Sequence, residues 1–285
     1  MSSILTNNGA MVALQTLRGI NNALDTTQNE ISTGKTVNTA KDNAALWTIS
    51  KVMESDVASF KAVSDSLSLA KGAVTNAREA AETVGKLIEQ IKDKVTAAQD
   101  GNQDRATLQK DIVALRNQIT SAVSASQFSG TNLVNGSVTG NTFKALASLD
   151  RAAGAVTASY IDVDLTNTNL SATGHASMVA LHAVDVTSIT DATSAQALLT
   201  TVETSLKTAL DAAGIFGTAG KRIEIQSEFI SKLSDSMTSA IGAVVDTNME
   251  EASARLKALQ TQQQLGVQSL SIANNAPQSL LSLFR

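Results

Sequence analysis

The sequence predicts a mainly α fold, two long helical seams around a small β-hairpin-rich insert, and three observations carry that reading. From Leu46 to Ala98, fifteen of the sixteen residues met at alternating steps of three and four are apolar, Asp56 being the exception. The overall apolar fraction of 43% predicts about seven, so the 3.5-residue repeat is of the coiled-coil kind. A second seam, from Leu199 to Val244, is apolar at eleven of fourteen positions, and the others are Gly220, Ser227 and Ser234. The chain has one proline, Pro277, so 276 residues pass without an obligatory helix break.

The elements follow in order. Leu17, Leu24 and Ile31 repeat at seven, with Leu14 and Ile20 beside them, up to a break at Thr33-Gly34. The first seam then predicts a helix about 80 Å long at 1.5 Å per residue. Asp100-Gly101-Asn102 ends it, and Leu108, Ile112, Leu115, Ile119 and Ala122 mark a second helix stopping near "FSGTNLVNGS", which makes a helical hairpin. Residues 137–193 are rich in Thr, Ser, Ala and Val, and "ASYIDVDLT" alternates as a strand does, so short hairpins are expected there. About 57 residues are too few for a separate catalytic domain. Gly214, Gly217 and Gly220 make the weakest stretch of the second seam, each costing about 1 kcal/mol against alanine inside a helix. Thr247-Asn248-Met249-Glu250 reads as a capping box opening a last helix through Leu256, Leu259, Leu265, Leu270 and Ile272, whose apolar residues spread over more than one face. Leu280, Leu281, Leu283 and Phe284 crowd the last six residues, and such an ending calls for cover from outside the chain.

Composition narrows the function classes. Twenty-two basic against 26 acidic residues leave a formal charge of −4 with no basic run, which excludes nucleic acid as a partner. No cysteine is present, so disulfides, thiol catalysis and thiolate metal sites fall together. Aromatic residues are 3%, and small side chains take their place, as suits close-packed helices. The start of the chain shows neither a basic segment before an apolar core nor a stretch long enough to span a bilayer, so no Sec-type signal and no membrane contact are expected.

The motifs that mimic chemistry fail on spacing. "STGKT" ends like a phosphate-binding loop, but Asn29 stands where the first glycine belongs; in "GIFGTAGKR" Ile215 stands there, and Arg222 replaces Ser or Thr. His175 and His182 are the two histidines, with Asp185 nearby, and a metal site needs three or four converging ligands. No nucleophile–base pair is readable. No enzyme, cofactor or metal is expected. Asp56 is read as facing a solvated gap rather than setting register. Trp47 is read as plain core.

Two long motifs carry a resemblance. "ISTGKTVNTAKDNAALWTIS" (31–50) and "DTNMEEASARLKALQTQQQLGVQSLSIANNAPQSLLSLFR" (246–285) resemble the amino- and carboxy-terminal signatures of bacterial flagellins, of the short, alphaproteobacterial-like kind without large outer domains. Resemblance implies a long antiparallel helical coiled-coil bundle formed by the two terminal segments. It implies inner, filament-core helices at 1–32 and 248–285, an outer helical bundle at 33–136 and 194–247, and a variable insert at 137–193. It implies an extracellular filament of many copies, with a polymerisation interface from Leu14, Leu17, Ile20, Leu24, Ile31, Leu256, Leu259, Leu265, Leu270, Ile272, Leu280, Leu281, Leu283 and Phe284. Implied partners are the chain itself, the flagellar export apparatus and export chaperone, and hook-associated and cap proteins. Flagellins recognised by a vertebrate Toll-like receptor share two arginines one residue apart, then Glu and Leu; here Gln90 and Lys92 replace the arginines, Asp93 the Glu and Lys94 the Leu. Competing readings are a hook–filament junction protein and another type III-secreted helical assembly component.

Overall fold

A computed structural model of the chain describes residues 7–152 and 155–283, with side chains described as far as Asn275 and not at Ala152 or Ala155. Eight main elements follow in order: α1 (Asn8–Thr33), α2 (Ala44–Ala97), α3 (Arg105–Ala125), β1 (Thr142–Ala152), β2 (Ala155–Asp164), α4 (Ala176–His182), α5 (Ala192–Val245) and α6 (Met249–Leu283). They divide into two compact units, Met1–Val57 with Asp235–Arg285, and Ala58–Ser234; α2 and α5 each run through both.

In residues 58–234 the predicted seams form a dry core. Val63, Leu67, Ala81, Val84, Ile88, Ile91 and Val95 of α2 are fully buried, and so are Val202, Ala209, Phe216 and Ile223 of α5 and Ile112 and Ile119 of α3. The direction of packing is readable from the flanking ion pairs. Lys71 Nζ meets Glu224 Oε1 at 3.3 Å and Lys92 Nζ meets Glu203 Oε1 at 2.9 Å, so α2 ascends as α5 descends. Lys94 and Asp111, 2.7 Å apart, tie α2 to α3 across the Gly101 turn.

Strands β1 and β2 pair antiparallel from Thr142↔Asp164 to Ala152↔Ala155, with an irregularity between Leu146 and Ser148. Alternation places Ala145, Ala147, Ile161 and Val163 inward and leaves Tyr160 and Val156 exposed. Gln226 Nε2 of α5 donates to the Ala147 carbonyl at 2.9 Å, which fixes the hairpin on that helix.

Three details differ from the sequence reading. Beyond β2 the insert forms the short helix α4 instead of further hairpins; Met178 and Leu181, three apart, are its fully buried anchors, and seven residues are too few to display a period. The cap of α6 is Asn248, whose Oδ1 accepts from Glu250 N and Glu251 N, and not Thr247, whose own N–H donates to Gly34 O at 2.9 Å. Trp47, expected in a core, is half-buried.

Candidate assembly surface

Residues 1–57 and 235–285 hold the chain's predicted contact residues, and local chemistry sets their frame. Asn7 caps α1 by accepting from Ala10 N at 3.1 Å, and its Nδ2 donates to Ala273 O of α6 at 2.7 Å. At the other end Gly34, at φ +69°, takes the left-handed backbone that stops α1 where the sequence placed its break. The chain after it is stitched to the α5–α6 junction: Thr36 N and Oγ1 both donate to Val245 O, at 2.7 and 2.9 Å.

Helices α1 and α6 pack on each other through a small-residue notch. A Cβ on Gly266 would stand 3.1 Å from Leu17 Cδ1 and 3.9 Å from Ile20 Cδ1, so glycine is what lets those side chains seat. Gln263 Nε2 donates to Asn21 Oδ1 at 2.8 Å beside them. Leu24 is buried, while Leu14, Leu17, Ile20, Ile31, Leu256, Leu259 and Leu270 are half-buried. Leu265 and Ile272 stay 57% and 71% exposed. Leu280, Leu281, Leu283 and Phe284 lie outside the described residues.

Sequence reasoning missed several exposed apolar residues of the same unit. Met11 and Val12 of α1, Ile49 and Val52 of α2, and Val267 of α6 are each at least 39% exposed. The signal was available: Val267 follows Leu265 by two, and at about 100° per residue it points almost opposite to it, with Gly266 and α1 between. Apolar groups therefore stand on separate sides of α6, and α1 covers one of them.

Electrostatics here are those of a solvated frame. Lys51 Nζ donates to Glu54 at 2.6 Å and Lys35 adds a pair at 3.6 Å, which together hold the Glu54 carboxyl below its ordinary value, the Lys51 bond leading. Asp42 is lowered chiefly by the backbone and side chain of Thr39. Among the described residues no three His, Cys, Asp or Glu side chains gather to hold a metal, and no helix is long and apolar enough to cross a membrane. His175 and His182 lie at opposite ends of α4. Of the receptor-segment residues, Gln90 and Asp93 are exposed, and Lys92 and Lys94 are engaged with Glu203 and Asp111.

Comparison with known proteins converges on one family. The model of the bacterial flagellin N-terminal helical region matches residues 4–139, and that of the bacterial flagellin C-terminal helical region matches residues 199–284. A flagellin of Brucella melitensis is 40% identical over all of both chains. Flagellin FljK of Caulobacter vibrioides is 37% identical over 100% of this chain and 99% of its own, and flagellin C of Rhizobium meliloti is 38% identical over all of both. The crystal structure of Bacillus cereus flagellin matches at a TM-score of 0.40 and 17% identity, over 59% of this chain and 88% of that one, which is too distant to fix any residue's place. With both helical regions matched and full-length relatives at such identity, the chain belongs to the bacterial flagellin family.

Proposed function

We propose that this chain is a structural subunit of the extracellular bacterial flagellar filament, assembling with copies of itself through α1 and α6. The observation that carries the reading is the coincidence of two facts. Flagellins align from end to end with the chain, and its terminal helices leave Met11, Val12, Leu265, Val267 and Ile272 uncovered. Full-length likeness to flagellins does not favour a hook–filament junction protein.

On this reading residues 1–32 and 248–285 form the filament core, 33–136 and 194–247 the outer bundle, and 137–193 its variable face. The interface is formed by Leu14, Leu17, Ile20, Leu24, Ile31, Leu256, Leu259, Leu265, Leu270, Ile272, Leu280, Leu281, Leu283 and Phe284. Each apolar side chain taken from water to full burial contributes roughly 1.5–3 kcal/mol before ordering costs, and the gain repeats at every subunit. The protein is structural and not catalytic. Before assembly it is handled by the flagellar export apparatus and an export chaperone, and in the filament it meets hook-associated and cap proteins. Gln90, Lys92, Asp93 and Lys94 make it a weak activator of the vertebrate flagellin receptor, because lysine lacks arginine's planar five-donor fork and Gln90 carries no charge.

Electron microscopy of the purified chain under assembly conditions tests the function. Micrometre-long filaments are expected, and a protein that stays monomeric over a wide concentration range refutes it.

A further inference from the structure

We propose that the free edge of β2, at residues 156–160, pairs antiparallel with the same edge of a second copy of the chain and joins two hairpins into one four-stranded sheet. Two hydrogen bonds fix which backbone groups of β2 face outward. Leu165 N donates to Asn141 O at 2.8 Å, so the odd-numbered residues of β2 turn their N–H and C=O toward β1. Asp162 O, of the other parity, is turned away from β1 and accepts from Arg222 of α5 at 3.4 Å. The alternation runs unbroken through β2, because the irregularity in the pairing places its extra residue, Ala147, in β1. Val156, Ala158 and Tyr160 therefore point three N–H and three C=O groups away from the hairpin, and every residue from 156 to 160 is exposed.

The two strands differ in charge. β1 carries Lys144, Asp150 and Arg151, and charged side chains keep a foreign strand from adding to an edge. Residues 155–161 of β2, "AVTASYI", carry no charge and no proline, which leaves a bare template for strand addition. That edge is self-complementary. A copy turned about a two-fold axis at Ala158 sets Ala158 against Ala158, and Val156 of each copy against Tyr160 of the other. The three outward N–H and three outward C=O groups of each strand then all find partners in the other. Tyr160 and Val156, 51% and 58% exposed in the single chain, become two aromatic–β-branched cross-strand pairs on one face. Each hairpin gains two strands, and a sheet of four is sturdier than a sheet of two. Such a contact is isologous and closes at two copies, whereas a filament needs contacts that repeat head to tail. The pairing is therefore separate from assembly through α1 and α6.

The chain has no cysteine of its own, so single cysteines placed in the full-length soluble chain read the register directly. Across the two-fold the Cα atoms of position 158 stand about 5.5 Å apart, within reach of a disulfide. Position 157 is equally exposed but lies opposite 159, so its two copies are diagonal neighbours at roughly 7–8 Å, too far to bridge. Under mild oxidation Ala158→Cys is expected to form the disulfide dimer about tenfold faster than Thr157→Cys, which reports chance collision. Equal rates overturn the proposal. A charge swap gives a second reading by sedimentation of the soluble chain. Ala158→Asp alone and Ala158→Lys alone each set like charges face to face and are expected to stay monomeric, while an equal mixture of the two is expected to dimerise. A mixture that stays monomeric also overturns the proposal. Electron microscopy separates this contact from the filament: Ala158→Asp is expected to polymerise as the unaltered chain does, and loss of filaments in that variant alone refutes the two-fold assignment. Failure of the unaltered chain to polymerise bears on the proposed function and leaves the cross-linking result standing.

Discussion

Helix α2 carries one apolar repeat through both compact units, and the burial of that repeat changes abruptly along it. From Val63 to Ala98 the seam is at most 5% exposed, whereas Ile49 is 52% exposed and Leu46 and Met53 are only half-buried. Helix α5 repeats the contrast less sharply: Val202, Ala209, Phe216, Ile223 and Ile230 of its seam are buried and Leu206 and Ala213 half-buried, while further on Met237 and Ile241 are half-buried and Val244 is 36% exposed. The spacing does not differ between the stretches. What differs is the number of neighbours the chain itself supplies: residues 58–234 add α3, a hairpin and α4, while the other unit adds α1 and α6. A coiled-coil repeat therefore marks a face suited to being covered without stating by what, and under the proposed function the uncovered half of the seam is surface for another copy of the chain.

The largest effect that breaks this comparison is on assembly. A chain ending at Asn275 is expected to keep residues 58–234 folded and to lose filaments altogether. Circular dichroism with a cooperative melt reads the first half, and electron microscopy the second; robust filaments from the shortened chain place the assembly energy elsewhere.

Next in size is a pair of truncations to alanine, one on each side of the contrast. Phe216 has no exposed surface, and Phe216→Ala is expected to cost about 3–5 kcal/mol from lost burial and the cavity left. Ile272 is 71% exposed, and Ile272→Ala is expected to leave monomer stability within about 0.5 kcal/mol while raising the subunit concentration needed for assembly. Denaturant melts and sedimentation separate the two readouts. Equal stability losses would mean that Ile272 is covered within the monomer.

How much of this was legible in the sequence follows from the same contrast. The helices were readable because fifteen of sixteen repeat positions from Leu46 to Ala98 are apolar, and because Gly34 ends α1 and Asp100-Gly101 follows α2. Helix α4 was not, since two anchors three residues apart, Met178 and Leu181, carry no period. The cap of α6 shifted from Thr247 to Asn248 because the Thr247 N–H is taken by Gly34, two hundred residues away in sequence, and no local pattern encodes that. At the candidate surface, Leu265 and Ile272 are among the residues that the resemblance implies, whereas the exposed Met11, Val12 and Val267 lie outside that set.

Glycines give a smaller test within residues 58–234, where one helical glycine is packed and another open. A Cβ on Gly72 would stand 2.7 Å from Phe128 Cζ, so Gly72→Ala forces the ring aside and is expected to cost about 1–2 kcal/mol. On Gly217 the nearest atom would be Arg78 Cδ at 4.0 Å, so Gly217→Ala is expected to add up to about 1 kcal/mol by stiffening the unfolded chain and the helix. Opposite signs in thermal melts are the expected result. A loss at Gly217 would mean that its open side is needed.

The smallest expected effect concerns acid, and here the units differ in the chemistry of their helix starts. In residues 1–57 and 235–285 the caps are Asn7, Asn43 and Asn248, which do not titrate. In residues 58–234 the carboxylates of Asp104 and Asp191 take that place for α3 and α5, beside His175 for α4. Asp104 accepts from Thr107 Oγ1 at 2.6 Å and from the Thr107 and Ala106 amides, and these bonds, the Thr107 side chain leading, hold it below its ordinary 3.8. Asp191 is lowered by the Ser194 amide and hydroxyl. A carboxyl whose folded value lies below its unfolded value contributes stability that is complete above about pH 4 and is lost as pH falls through the lowered value. Asp42 is lowered too, but it holds the loop at Asn38 and Thr39 and caps no helix. Below pH 4 the first turns of α3 and α5 should therefore loosen before those of α1 and α6, as amide exchange resolved by segment would report. Asp104→Asn should remove the α3 component while leaving its cap in place, because asparagine accepts the same bonds without a proton to gain. First turns that loosen together in both units would mean that acid acts through net charge instead of through these caps.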